Sequence, residues 1–94
     1  MSDAASSDAG TVTVRYWAAA RAAAGRSEDA VPAGPLDAVL AAALALHPGN
    51  DRLAQVVPIC SVLVGDVAVR AADRSGIDVP HGSLVELLPP FAGG

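Results

Sequence analysis

The residues best suited to do chemistry lie together in the segment LPPFAGG, from Leu88 to Gly94. Pro89 and Pro90 restrict the backbone towards polyproline II, so the chain is expected to leave the preceding strand as a stiff, extended arm. Gly93 and Gly94 have no Cβ, and a backbone without side chains can enter a narrow channel and approach another protein's catalytic groups. The last group is then a free carboxylate. It is a poor electrophile until one oxygen is converted to a good leaving group, for example by adenylation with ATP. A bare Gly-Gly is most often a frayed end, but a strand, then Pro-Pro, then Gly-Gly has the shape of a substrate handle. Gly94 is the residue to be modified, Gly93 and Ala92 form the arm, and Phe91 and Pro90 are candidates to dock into a partner.

The other reactive side chains give less. Cys60 sits in the run ICSVLVG, where its apolar neighbours favour a small buried hydrophobe over a nucleophile. As the single cysteine it has no intramolecular disulfide partner, which fits a reducing compartment. His47 and His81 stand at no metal-ligand spacing, so no metal site is expected. His47 reads as a helix-end residue near the C-terminal dipole, and His81 as a turn residue. No serine, histidine and acid arrangement and no phosphate-binding glycine loop is present. The chain lacks the parts of an enzyme, and any catalysis must come from partners.

Composition narrows the setting. The 94 residues make one domain. Hydrophobic residues reach 52%, yet Tyr16, Trp17 and Phe91 are the only aromatics, so Val, Leu, Ile and Ala must build the core. That favours close packing of a small sheet on a helix over a large aromatic-lined cavity. All six basic residues are arginines scattered from Arg15 to Arg74, and the net charge is −4. Nucleic-acid binding is therefore not expected, since it normally shows a concentrated basic patch. The absence of lysine excludes Schiff-base chemistry on the chain's own side chains. The N-terminus has no signal-peptide pattern and no apolar run is long enough to span a bilayer, so the expectation is a cytoplasmic protein without membrane contact.

The elements that must hold the arm follow from periodicity. Residues 1–10 read as a disordered tail, 11–90 as the folded domain and 91–94 as a flexible arm. From Thr11 to Trp17 the chain alternates as a strand, with Val12, Val14 and Tyr16 on one face and Thr13, Arg15 and Trp17 on the other. AAARAAAG is a helical turn closed by Gly25, and Ser27 to Val31 a weak edge strand. Gly34-Pro35 opens the main helix, with Pro35 at its first position and Asp37 in its first turn. Leu36, Val39, Leu40, Ala43, Leu44 and His47 form its apolar stripe, and Pro48-Gly49 stops it. A linker spans Arg52 to Val57. Strands follow at Ile59–Gly65, Val67–Arg70 and Leu84–Leu88, joined by turns at Gly65-Asp66 and His81-Gly82. The order gives an α+β class: a small mixed sheet with one main helix on one face.

With these segments assigned, the sequence resembles the MoaD/ThiS family of sulfur-carrier proteins, most of all the small subunit of molybdopterin synthase. The resemblance runs from Thr11 to Gly94 through VTVRYWAAARAAAG, the Gly34 to His47 helix, VLVGDVAV and HGSLVELLPPFAGG, and LPPFAGG is its specific part. It implies a β-grasp, ubiquitin-like fold whose first and last strands are central and parallel. It also implies that Gly94 is adenylated by a ubiquitin-activating-like adenylyltransferase using ATP and then thiocarboxylated through a sulfurtransferase, with no cofactor bound by the chain itself. The loaded arm would enter the molybdopterin synthase large subunit and give sulfur to cyclic pyranopterin monophosphate. The same chemistry in thiazole, cysteine or other thio-metabolite formation, and a ubiquitin-like tag or interaction module, remain alternatives. A carrier must also dock its body, so an exposed apolar patch is expected on the sheet near the arm.

Overall fold

The computed structural model describes residues 10–90; residues 1–9 of the expected 1–10 tail, and the expected arm 91–94, lie outside the described residues, while the Gly10 carbonyl accepts from the Ala33 N–H at 3.1 Å. Strand β1 (Thr11–Tyr16) buries Val12, Val14 and Tyr16 as its alternation requires. Helix α1 (Ala18–Ala24) closes at Gly25, whose φ of 78° lets its N–H return to the Arg21 carbonyl at 2.9 Å. Strand β2 (Glu28–Pro32) then pairs antiparallel with β1, and Pro32 ends it on the sheet edge, where a missing N–H costs no ladder bond.

The main helix begins later than its sequence suggests. Gly34 and Pro35 form a two-residue strand, β3, and Pro35 is the N-cap of α2 (Leu36–Ala45), not its first helical residue. Two residues pair there because β6 (Asp78–Val79) crosses antiparallel to them, and the Leu36 N–H donates to the Ile77 carbonyl at 2.8 Å. The expected stripe packs as read, with Leu36, Val39, Leu40 and Ala43 buried.

The expected linker after α2 is a helix instead. Asn50 caps α3 (Asp51–Val56) by accepting from the Leu53 N–H at 3.0 Å, and its amide donates to the Ala23 carbonyl at 2.8 Å. Leu53 is buried beneath it. A 3-10 turn (Val57–Ile59) takes up residues expected at the start of the next strand, so β4 covers only Ser61–Val64. Strand β5 (Val67–Val69) returns beside it, a second 3-10 segment (Ala71–Gly76) leads to β6, and β7 (Leu84–Leu88) completes the sheet.

The five-stranded order is β2-β1-β7-β4-β5, with β7 in the middle, parallel to β1 and antiparallel to β4. The cross-strand row Tyr16, Leu87, Val62, Val69 lies on the helix side, and the row Glu28, Arg15, Glu86, Leu63, Ala68 on the open side. This is the β-grasp arrangement: a mixed sheet wrapping one main helix. At the far end of β7 the Thr11 N–H donates to His81 Nδ1 at 3.0 Å, and Gly82 returns its N–H to the Thr11 carbonyl at 2.8 Å. Gly10 has a φ of +73°, and a Cβ there would collide with the His81 ring.

One charged group is built into the packing. The Asp29 carboxylate accepts hydrogen bonds from Tyr16 Oη at 2.7 Å and Arg26 Nε at 2.6 Å, and contacts His47 Nε2 at 2.7 Å, with its side chain only 7% exposed. His47 thus lies beyond the helix end and answers a carboxylate on β2 rather than only the helix dipole. Burial alone would raise the Asp29 pKa, but the bonds from His47, Tyr16 and Arg26 outweigh it and hold it below the ordinary value. Burial, then the Asp29 bond and charge, raise the Tyr16 phenol. A carboxyl depressed in the fold stabilises above its unfolded pKa of about 3.9 and loses that contribution as pH falls through the folded value. Asp29→Ala should cost about 3 kcal/mol at pH 7 by urea denaturation, because it strands two buried partners. The part of acid destabilisation below about pH 4 that belongs to this group should vanish in the variant.

Candidate functional site

The site is built from the end of β7 outward. Leu87 is buried between its neighbours, and its carbonyl accepts the Trp17 N–H at 3.1 Å, the last bond joining β1 to β7. Leu88 pairs with Ser61, the first residue of β4. The ladder stops at Pro89 because proline has no N–H to donate. Pro89 is half-buried and Pro90 exposed, so the chain has left the sheet by Pro90. Of the expected site residues, the described structure contains Pro90; Phe91, Ala92, Gly93 and Gly94 lie outside the described residues.

The surroundings of this exit were only partly foreseen. Trp17 stands on the open side of the sheet at the end of β1, 42% exposed. Its indole N–H donates to Glu86 Oε2 at 3.0 Å, which holds the ring over the face and gives the one charge of β7 a partner. Leu63, Leu84 and Leu88 are half-exposed on the same side. Trp17 and Leu88 thus place exposed apolar surface at the end of the sheet where β7 reaches Pro89, with Leu63 beside Glu86 further in. Alternation in β1 had already turned Trp17 away from the core, and that signal pointed to it. Ile59, 62% exposed, lies at the same end of the sheet, just before β4. It was expected inside a strand. The salt bridge Arg15–Glu28 at 2.9 Å spans the open face further in.

Sulfur chemistry at Cys60 is disfavoured by its setting. The residue is 4% exposed, and its thiol donates to the Val56 carbonyl at 3.3 Å. Burial pushes the thiol up to about 11, against a smaller downward pull from the Arg74 charge. Among the described residues no group of three or more His, Cys, Asp or Glu could hold a metal ion, and no helix is long and apolar enough to cross a membrane.

No family model matches the chain, and no curated protein matches it by sequence. Solved structures do match. Small archaeal modifier protein 1 from Methanosarcina acetivorans aligns with a TM-score of 0.74 at 20% identity, over 90% of this chain and 97% of that one. A chain from the complex of subunits 1 and 2 of molybdopterin-converting factor from Helicobacter pylori aligns with a TM-score of 0.60 at 19% identity, over 89% and 99%. The Haloferax volcanii HVO 2177 protein aligns with a TM-score of 0.66 at 25% identity, over 90% and 87%. The chain shares the ubiquitin-like β-grasp fold of these proteins across nearly their whole length. The fold is the one that the resemblance of the LPPFAGG-bearing segments had implied.

The buried thiol gives a direct check on this geometry. At pH 8 Cys60 should resist iodoacetamide in the native protein and be alkylated rapidly once urea unfolds it, read as a single adduct by intact mass.

Proposed function

We propose that the chain is a sulfur-carrier protein whose Gly94 carboxylate is adenylated and then thiocarboxylated. The observation that carries this reading is the exit of β7: a strand clamped on both sides that ends at two prolines, with Pro90 exposed and Phe-Ala-Gly-Gly following in sequence. A central strand gives the arm a rigid root. The prolines stop it from rejoining the sheet, and the glycines let a partner's channel close around it.

The chemistry divides between the chain and its partners. The carboxylate oxygen attacks the α-phosphate of ATP on a ubiquitin-activating-like adenylyltransferase, and pyrophosphate leaves. A persulfide on a sulfurtransferase then adds to the acyl carbon and expels AMP, and a thiol cleaves the resulting acyl disulfide, leaving with the outer sulfur as a mixed disulfide and releasing the thiocarboxylate. ATP is the partner's substrate; the chain needs no cofactor of its own. The acceptor we favour is cyclic pyranopterin monophosphate, bound on a molybdopterin synthase large subunit. The Helicobacter pylori structure, a complex of subunits 1 and 2 of molybdopterin-converting factor, supports a large-subunit partner by likeness of fold. Trp17, Leu88 and Pro90, with Phe91, would form the docking surface around the arm.

The likeness to small archaeal modifier protein 1 favours a second reading, a tag attached to other proteins through the same terminus. The two separate cleanly. Incubated with its activating enzyme, ATP and a sulfur donor, a carrier should show an oxygen-to-sulfur mass change at Gly94, whereas a tag should appear in higher-mass isopeptide conjugates. Deleting Gly93 and Gly94 should abolish either product while leaving thermal unfolding unchanged. A chain that neither gains sulfur nor forms conjugates would refute both.

A further inference from the structure

At the end of the sheet from which the arm departs, an open pocket of about 330 Å³ lies between the start of β4 and the end of β5. Its lining includes Ile59, Ser61, Val69, Arg70 and Arg74, with two cations and no acidic residue. Ser61 is the partner of Leu88 across the ladder, so the pocket sits one strand away from the root of the arm.

Arg74 is only partly used by the fold. One Nη donates to the Cys60 carbonyl at 2.9 Å, which fixes the guanidinium against β4. Its Nε is buried and has no hydrogen-bond partner among the described residues. A guanidinium offers five donors in a planar fork matched to a carboxylate, and the single bond to the Cys60 carbonyl leaves further Nη donors for one. Arg70 is more open still. Its contact is Asp73 at 3.5 Å, and both side chains are largely solvent-exposed. Thus a chain of net charge −4 holds two of its six arginines at one corner, beside an isoleucine that is 62% exposed.

We infer that this pocket receives a carboxylate side chain of the adenylating enzyme, with Arg74 and Arg70 as its counter-charges and Ile59 as the apolar contact beside it. The inference rests on the carrier reading above. A small inorganic anion would gain nothing from the exposed Ile59 or from the apolar wall at Val69, whereas a protein segment engages both. A cationic corner on an acidic domain, next to the arm, also orients the encounter so that the arm faces the active site.

The test is ATP–pyrophosphate exchange by the cognate activating enzyme, with the full chain as substrate. Arg70→Glu should raise the KM for the chain about threefold and Arg74→Met about tenfold, with kcat within about twofold of wild type. The KM of the wild type should rise with salt, and more steeply than that of Arg70→Glu. Urea denaturation of each variant separates docking from folding. Unchanged KM in both variants overturns the inference. So does a rise confined to Arg74→Met that accompanies lost stability, since Arg74 would then be only a tie between the 3-10 segment and β4. Exchange by the wild type with unaffected variants leaves the carrier reading intact, whereas no exchange by the wild type removes the carrier reading itself.

Discussion

Everything at the working end of the molecule depends on how β7 is held. Its backbone is bonded on one side to β1 in parallel and on the other to β4 in antiparallel register, so neither edge is free to slide or fray. The alternation of β7 adds a second restraint: Val85 and Leu87 are fully buried, and a slip of one residue would turn Glu86 into the core. The position and heading of the chain at Pro89 are therefore set by two ladders and a packed face together. Trp17 follows from the same restraint, because the last bond between β1 and β7 is donated by its own N–H.

On the opposite edge the Asp29 cluster solves a different problem. A two-stranded edge pairing such as β1–β2 is weak unless something beyond the ladder fixes it. Here a carboxylate on β2 gathers a phenol from β1, a guanidinium from the intervening turn and an imidazole from beyond α2. The rings of Tyr16 and His47 meet edge to face, with centroids 6.0 Å apart. The edge strand β2, the turn before it and the end of the main helix are thus joined through one group.

The sequence disclosed most of what periodicity can encode. Val12, Val14 and Tyr16 alternate, Leu36 to Ala43 repeat at helical spacing, and Leu84 to Leu88 stop at two prolines; each of these elements is present. Short elements escaped because they repeat too little. Helix α3 has six residues, barely more than one turn, and its signs were the Asn50 cap and the Leu53 to Val57 spacing. Strands β3 and β6 have two residues each and exist only because the folded chain brings them together. The Asp29 cluster was hidden for the same reason: Tyr16, Arg26, Asp29 and His47 lie far apart in the chain, and no local pattern announces that they converge. At the exit the alternation of β1 had already turned Trp17 outward, whereas the exposure of Ile59, expected inside a strand, depends on where the 3-10 turn leaves off before β4.

The middle strand of the sheet is also the last to be synthesised among the described elements, and this bears on the order of events during folding. β1 and β4 have no partner between them until β7 arrives, so the sheet closes late and through contacts distant in sequence, a slow topology for so small a chain. A copy that stalls before this step would keep the β1–β2 and β4–β5 pairs but leave the facing edges of β1 and β4 open. The root from which the chain leaves the sheet at Pro89 is thus the last part of the sheet to be secured.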